Sequence, residues 1–261
     1  MAIRTLDELS EFEKLSLIPV SYSRLNTLDM CEAKYFFSYI LKEPQTFGAA
    51  ATLGNVLHKV LEEKLKRNQV IKKSDLDSFI EVYNSQIPNY DPNSEIPDTM
   101  LIDGETMLVE FIDRHDGESF DIEYQEKGFT IVIGNALVSG YIDRIDIVGD
   151  TVYIIDYKSG KREEAQKNIS KNIQLGIYAL AMKKAYPDKN IHASLYYLRS
   201  GKQKGHLFTD GDLLEIELLI RDLIYKLVNK GNFSYTPNSF ICSFCDYAKN
   251  GVCSVGARRV H

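Results

Sequence analysis

The chain has 261 residues, 44% of them hydrophobic and 26% charged, the balance of a globular protein with material for one large core or two small ones. It holds no run of about 18 apolar residues, and its opening MAIRTLDELSEFEK lacks the basic-then-apolar order of a leader, so a cytoplasmic chain with no membrane partner is expected. A formal net charge of −6 argues against a uniformly basic nucleic-acid binder but not against a local basic groove, for which KSGKREEAQKNISK and YLRSGKQKGH supply cations.

Apolar periodicity predicts a first helix over 23–41, capped by Ser21 or Ser23, with Leu28, Phe36, Phe37 and Ile40 recurring along it. A second helix over 53–66 carries Val56, Leu57, Val60, Leu61 and Leu65 at helical spacing. Helices over 74–85 and 99–114 follow, joined by NSQIPNYDPNSEIPDTM, where three prolines among Asn, Asp and Ser break the pattern. Strands are expected at 119–126, 129–133, 137–148 and 151–158, then a helix over 169–185, a strand over 192–198 and a helix over 212–230. This order predicts an α/β fold with a mixed sheet. With no repeat or low-complexity linker, 1–261 reads as one domain whose chemistry falls at about 53–200.

The stretch YIDRIDIVGDTVYIIDYKSG reads as a hairpin turning at Gly149-Asp150. Its register sets Val148 against Thr151, Ile145 against Ile154, and Asp143 against Asp156. Like charges directly across an antiparallel pair repel, so a cation is expected between them. Lys158 shares their face, whereas Tyr157 points away. Two carboxylates beside a lysine suit a hard divalent ion such as magnesium or manganese, which activates water and offsets charge building on a phosphodiester. The alternative is an Asp143–Lys158 ion pair on a solvated sheet face. Arg144 and Asp146 fall on the opposite face, where a structural ion pair is expected. Glu123 and Glu126 read as a solvated face, with a second-metal role as the alternative.

Four cysteines are present: Cys31, then Cys242, Cys245 and Cys253 in CSFCDYAKNGVC. The Cys-x2-Cys-x7-Cys spacing is that of metal ligands, and four thiolates can hold either zinc or an iron–sulfur cluster. Such a centre would tie the N-terminal helical region to the C-terminal segment.

Together these motifs resemble the PD-(D/E)xK nuclease superfamily, and within it the RecB/AddB-like exonucleases and CRISPR-associated single-domain nucleases that carry an iron–sulfur staple. VSYSRLNTLDMCEAKYFFSYIL resembles the opening segment that bears the first cluster cysteine, LGNVLHKVLE the histidine motif, GYIDRIDIV and IIDYKSGK the two acid motifs, and QLGIYALA the Gln-x3-Tyr motif. Ile142 stands where the superfamily's name has proline. The resemblance implies a restriction-endonuclease-like mixed sheet flanked by helices, with N- and C-terminal segments joined by a four-cysteine centre. It implies a metal site of His58, Asp143, Asp156 and the Tyr157 carbonyl, with Lys158 acting on the attacking water. Gln174 and Tyr178 would contact DNA or position the lysine, and Cys31, Cys242, Cys245 and Cys253 would hold a 4Fe–4S cluster, with structural zinc as the alternative.

The implied activity is metal-dependent exonuclease or single-strand-preferring cleavage of DNA, in repair, recombination or CRISPR adaptation. The rival is a non-catalytic DNA-end-binding assembly subunit of the same fold. No Gly-Lys-Ser/Thr phosphate loop is present, so unwinding would need a helicase partner, and a CRISPR integration complex is the other partner expected. Read without the resemblance, His58 is a core-edge histidine beside Leu57 and Leu61, and Gln174 and Tyr178 are an ordinary helix-face pair.

Overall fold

In the computed structural model, residues 18–44, 48–93, 95–229, 232–235 and 238–258 are described. The opening stretch read above for a leader, and the last residue of the helix expected over 212–230, lie outside them. The chain divides into two compact units, one of Met1–Thr46, Thr130–Gly140 and Glu215–His261, the other of Phe47–Phe129 and Tyr141–Leu214.

The sheet is six-stranded and mixed, as expected. Its strands are β1 (Ile18–Val20), β2 (Ile122–Ile133), β3 (Ala136–Val148), β4 (Thr151–Lys158), β5 (Asn190–Tyr197) and β6 (Gln203–Phe208). The order is β1-β3-β4-β5-β6, with β2 also pairing β3. β1 runs parallel to β3 and β4 parallel to β5, while β3–β4 and β5–β6 are antiparallel. β4 is buried almost throughout, which explains its near-continuous apolar sequence: a strand covered on both faces has no reason to alternate.

In the second unit, helices α3 (Ala49–Lys64), α4 (Leu76–Tyr90) and α5 (Asp98–Arg114) build the main core. Their Leu57, Leu61, Tyr83 and Phe111 pack with Ile155, Tyr157 and Tyr196 of the sheet. Helix α6 (Ile173–Ala185) is buried along nearly its whole length and contacts β4 and β5. In the first unit lie α1 (Tyr22–Met30), α2 (Glu32–Tyr35) and a π-helical turn over Phe36–Leu41. Helix α7 (Asp210–Val228) belongs to it from Glu215 onward, as do the short α8 (Ser239–Ser243), α9 (Asp246–Lys249) and α10 (Ser254–Ala257).

Several boundaries differ from expectation. The helix predicted over 23–41 is broken at Cys31, which is extended (φ −163°, ψ 110°) between α1 and α2. Helix α4 continues through Pro88 to Tyr90, because Phe79, Tyr83 and Ile87 keep packing on the core, and that packing outweighs the ladder bond a proline nitrogen cannot donate. The loop then closes on Asp91, whose carboxylate accepts from the Glu95 and Ile96 N–H groups at 2.7 and 2.9 Å. The two strands expected at 119–126 and 129–133 form one strand, β2, with Glu126 in the left-handed region at φ 46°. Asn172 accepts from the Leu175 N–H at 3.0 Å and starts α6 at Ile173, after a 3-10 stretch over Gln166–Lys171. The polar strand β6 and the three-residue β1 were not expected from sequence; their partners' backbones, rather than their own apolar pattern, place them.

Candidate active site

The hairpin pairs as the Gly149-Asp150 turn predicts, from Val148↔Thr151 to Arg144↔Ile155, with Gly149 at φ 55° as such a turn demands. One step further, the Asp143 side chain reaches across: its Oδ2 accepts from the Tyr157 N–H at 2.8 Å. The carbonyl of the same residue accepts from His58 Nε2 on α3 at 2.9 Å, and His58 Nδ1 lies 3.3 Å from Asp143 Oδ2. The backbone of Tyr157 is therefore tied on one side to Asp143 and on the other to His58.

Asp156 is 1% exposed. Its Oδ2 lies 2.6 Å from Lys158 Nζ and has no other hydrogen-bond partner. Gln174, the second residue of α6, joins the set: its carbonyl accepts from Lys158 Nζ at 2.8 Å, and its amide donates to Asp156 Oδ1 and to the Tyr178 hydroxyl, both at 2.9 Å. The i, i+4 spacing of Gln174 and Tyr178 makes this chain of contacts possible. The structure thus gathers Asp156, Lys158, Gln174 and Tyr178 into one network, and His58, Asp143 and the Tyr157 carbonyl into another.

A third set holds the hairpin from its other face. Arg144 donates from Nε to Asp146 Oδ1 at 2.8 Å, pairs through its second nitrogen with Asp146 Oδ2, and reaches the Tyr157 hydroxyl at 3.2 Å. Its guanidinium lies 3.7 Å from the centre of the Phe120 ring. This is the structural ion pair expected there, and both charges are nearly buried. Tyr157 is consequently held at its N–H, its carbonyl and its hydroxyl.

Residues 19–253 match the profile of the PD-(D/E)XK nuclease superfamily. The chain belongs to that superfamily. No curated protein matches it. Among solved structures it is similar to a provisionally named exonuclease from Eubacterium rectale, at 12% identity over 95% of this chain and 92% of the other, with a TM-score of 0.55, a likeness of fold. A second structure, SSO0001, is 17% identical over 78% of this chain and 96% of its own, with a TM-score of 0.33.

In this nuclease the electrostatics concentrate at the hairpin. Burial, and then the charge of Asp143, pushes the Asp156 carboxyl up, against the pull of Lys158. Burial lowers the His58 imidazole, but Asp143 outweighs it through charge and hydrogen bond and the ring is raised to about 9. The negative charge of Asp143 contributes to both shifts, on top of burial at Asp156, and a divalent cation would relieve it.

His58, Glu126 and Asp143 each offer a donor atom within 4.8 Å of the others, a set able to hold a metal ion. Glu126 had read as solvated face. It is half-buried instead, its carboxyl raised by burial and by Asp143. The left-handed backbone at this residue is unusual for a side chain with a Cβ inside a strand, and no apolar pattern in the sequence announces it. All three line a cavity of about 480 Å³ that also takes in Asn55, Tyr90 and Tyr141. Oxygen donors plus one imidazole fit magnesium or manganese, the ions typical of this superfamily.

None of the four cysteines is in a disulfide. Cys242, Cys245 and Cys253 form a small buried cluster with Tyr247 and Ala248, against Phe37. Burial raises the Cys253 thiol, and the charges of Cys245 and Cys31 raise it further. Gly256 packs where a Cβ would sit 2.8 Å from that of Ala248 and 3.2 Å from the Cys253 sulfur, and its N–H donates to that sulfur at 3.3 Å. No helix of the described residues is long and apolar enough to cross a membrane.

Proposed function

We propose that this nuclease is a metal-dependent DNA exonuclease of the RecB/AddB-like branch, acting on single strands or free ends. The observation that carries the reading is the pairing of two sets at one end of the hairpin. One is a donor set (His58, Asp143, Glu126, with the Tyr157 carbonyl facing His58), and the other is a lysine held by Asp156 and Gln174. Asp156 would join the ligands through the carboxylate that now faces Lys158.

A magnesium or manganese ion at this site would supply a more acidic water and charge compensation at the phosphate. The chain's own residues do the rest. Asp156 and Gln174 fix the Lys158 ammonium, which orients the attacking water and faces the charge that builds on the phosphate oxygens. Gln174 bridges lysine and acid beside their direct contact, fixing where the ammonium points, and Tyr178 holds the amide in that orientation.

Cys31, Cys242, Cys245 and Cys253 are proposed to hold a 4Fe–4S cluster. Two observations support this: Cys242, Cys245 and Cys253 gather in one small buried cluster, and the charges of Cys245 and Cys31 bear on the Cys253 thiol. All four cysteines lie in the first unit, and 1–261 is proposed to be one nuclease domain. Repair, recombination or CRISPR adaptation, with a helicase or integration complex as partner, is the setting the resemblance suggests.

The test is cleavage of end-labelled single-stranded DNA by anaerobically purified protein with manganese, with and without EDTA. Stepwise loss of label that stops in EDTA supports the reading and gives the polarity. DNA-end binding without any product would move the protein to the assembly-subunit class.

A further inference from the structure

The cavity that holds the metal donors has aromatic walls that the chemistry above does not use. Tyr141 stands two residues before Asp143 on β3, on the same strand face by the two-residue period, and is 66% exposed. Its neighbours Ile142 and Arg144 are buried. Tyr90, at the end of α4, lines the same cavity and is 38% exposed. Neither ring is needed to fill a core, and leaving an aromatic face in water forgoes the burial that usually places it.

The seat of Tyr141 is also built. A Cβ added at Gly128 on β2 would lie 3.3 Å from Cε1 of Tyr141, 3.7 Å from Cδ1 and 3.9 Å from Cζ. The backbone at Gly128 does not have a positive φ, so its conformation does not call for glycine. What the missing side chain provides is room for the tyrosine ring to lie against the neighbouring strand, with its outer face open. A ring supported on one face and bare on the other, beside a phosphodiester-cleaving centre, is the form of a base-stacking platform.

We propose that Tyr141, seated on Gly128 and with Tyr90 on the other part of the wall, stacks an unpaired nucleobase of the DNA strand entering the metal site. A paired base hides its face in the duplex stack, so the platform selects for unpaired ends. This rests on the nuclease reading and adds its substrate determinant. The cavity, at about 480 Å³, is within the range of sites for single small ligands.

The experiment compares wild type, Tyr141→Phe, Tyr141→Ala and Gly128→Ala on two manganese-dependent substrates, single-stranded oligonucleotides with natural ends and the same strands ending in abasic residues. It also follows the fluorescence of terminal 2-aminopurine on binding in calcium. Tyr141→Ala should raise KM on natural ends about ten-fold or more with kcat little changed. Tyr141→Phe should keep wild-type KM, Gly128→Ala should lose part of it, and on abasic ends all four should coincide. Wild type should quench 2-aminopurine and Tyr141→Ala should not. Equal KM for wild type and Tyr141→Ala on natural ends, or the same loss on abasic ends, overturns the platform while leaving the nuclease intact. If wild type cleaves nothing, the nuclease reading fails, and the fluorescence comparison still decides whether the ring stacks a base.

Discussion

The hairpin end and the cysteine segment are both candidate metal-binding regions, yet they are built in opposite ways. The hairpin site sits on long strands and a helix packed into the main core, and its side chains are already held in mutual contact by protein groups: Tyr157 at three points, Lys158 by Asp156 and Gln174. Cys242, Cys245 and Cys253 sit among helices of five, four and four residues, far below the length at which a helix supports itself. They share only a small apolar cluster around Tyr247 and Ala248. On the proposed reading, the difference teaches that the first region would be pre-organised for an ion that does chemistry, whereas the second would depend on its centre for structure.

The largest expected effect separates function from stability at the hairpin. Asp156→Asn should lower DNA cleavage about 10²–10³-fold without lowering the melting temperature, because the native carboxylate is buried against the charge of Asp143. Thermal unfolding beside a single-turnover assay reads both quantities. A large loss of stability would mean that Asp156 serves the fold, and the contrast between the regions would weaken.

Cys245→Ser should do the reverse. Bound iron, about four atoms per chain for the proposed cluster, should be lost, and trypsin should cut at the exposed Lys249 several-fold faster, while the hairpin unit keeps its own melting transition. Limited proteolysis with mass spectrometry and iron analysis check this. Unchanged protection after loss of iron would show that the segment is self-supporting.

Arg144→Met tests how the hairpin is held from behind. Removing the cation leaves Asp146 buried and unpaired, and breaking such a pair costs about 3–5 kcal/mol, measurable by denaturant unfolding. Tyr157 loses its hydroxyl anchor at the same time, so manganese affinity should fall alongside stability.

The smallest effect is a pH dependence that belongs to neither metal region. The Thr209 hydroxyl, then His206, and the Thr209 N–H hold the Asp212 carboxyl down to about 2. Its native value is below that of the unfolded chain, about 3.9. Its stabilisation is therefore complete above about pH 4 and is lost as pH falls through about 2. The melting temperature of Asp212→Asn should lie below wild type at pH 5 and converge with it toward pH 2, with or without iron.

Much of the candidate site was legible because its signals are local. A Gly-Asp turn dictates the register of a short hairpin, and register alone placed Asp143, Asp156 and Lys158 together and Arg144 and Asp146 apart from them. His58, Gln174 and Tyr178 were legible only through the order of motifs, since their residue spacing is equally that of an ordinary helix. Glu126 and the Tyr141–Gly128 seat were not legible as site features: one depends on an unusual backbone angle and the other on a contact between strands, and neither leaves a periodic trace. In the fold, β6 was missed because an edge strand keeps polar residues, and the end of α4 because core packing of Phe79, Tyr83 and Ile87 outweighs the ladder bond lost at Pro88.

The central claim is that Lys158, poised by Asp156 and Gln174, works on the water and the phosphate rather than on the fold or the metal. Single-turnover cleavage of labelled single-stranded DNA by Lys158→Ala, with manganese binding measured by calorimetry on the same preparation, tests it most directly. The account predicts that cleavage is abolished, that manganese affinity stays within about three-fold of wild type, and that the melting transition is unchanged. Undiminished cleavage by a protein free of contaminating nuclease would contradict it.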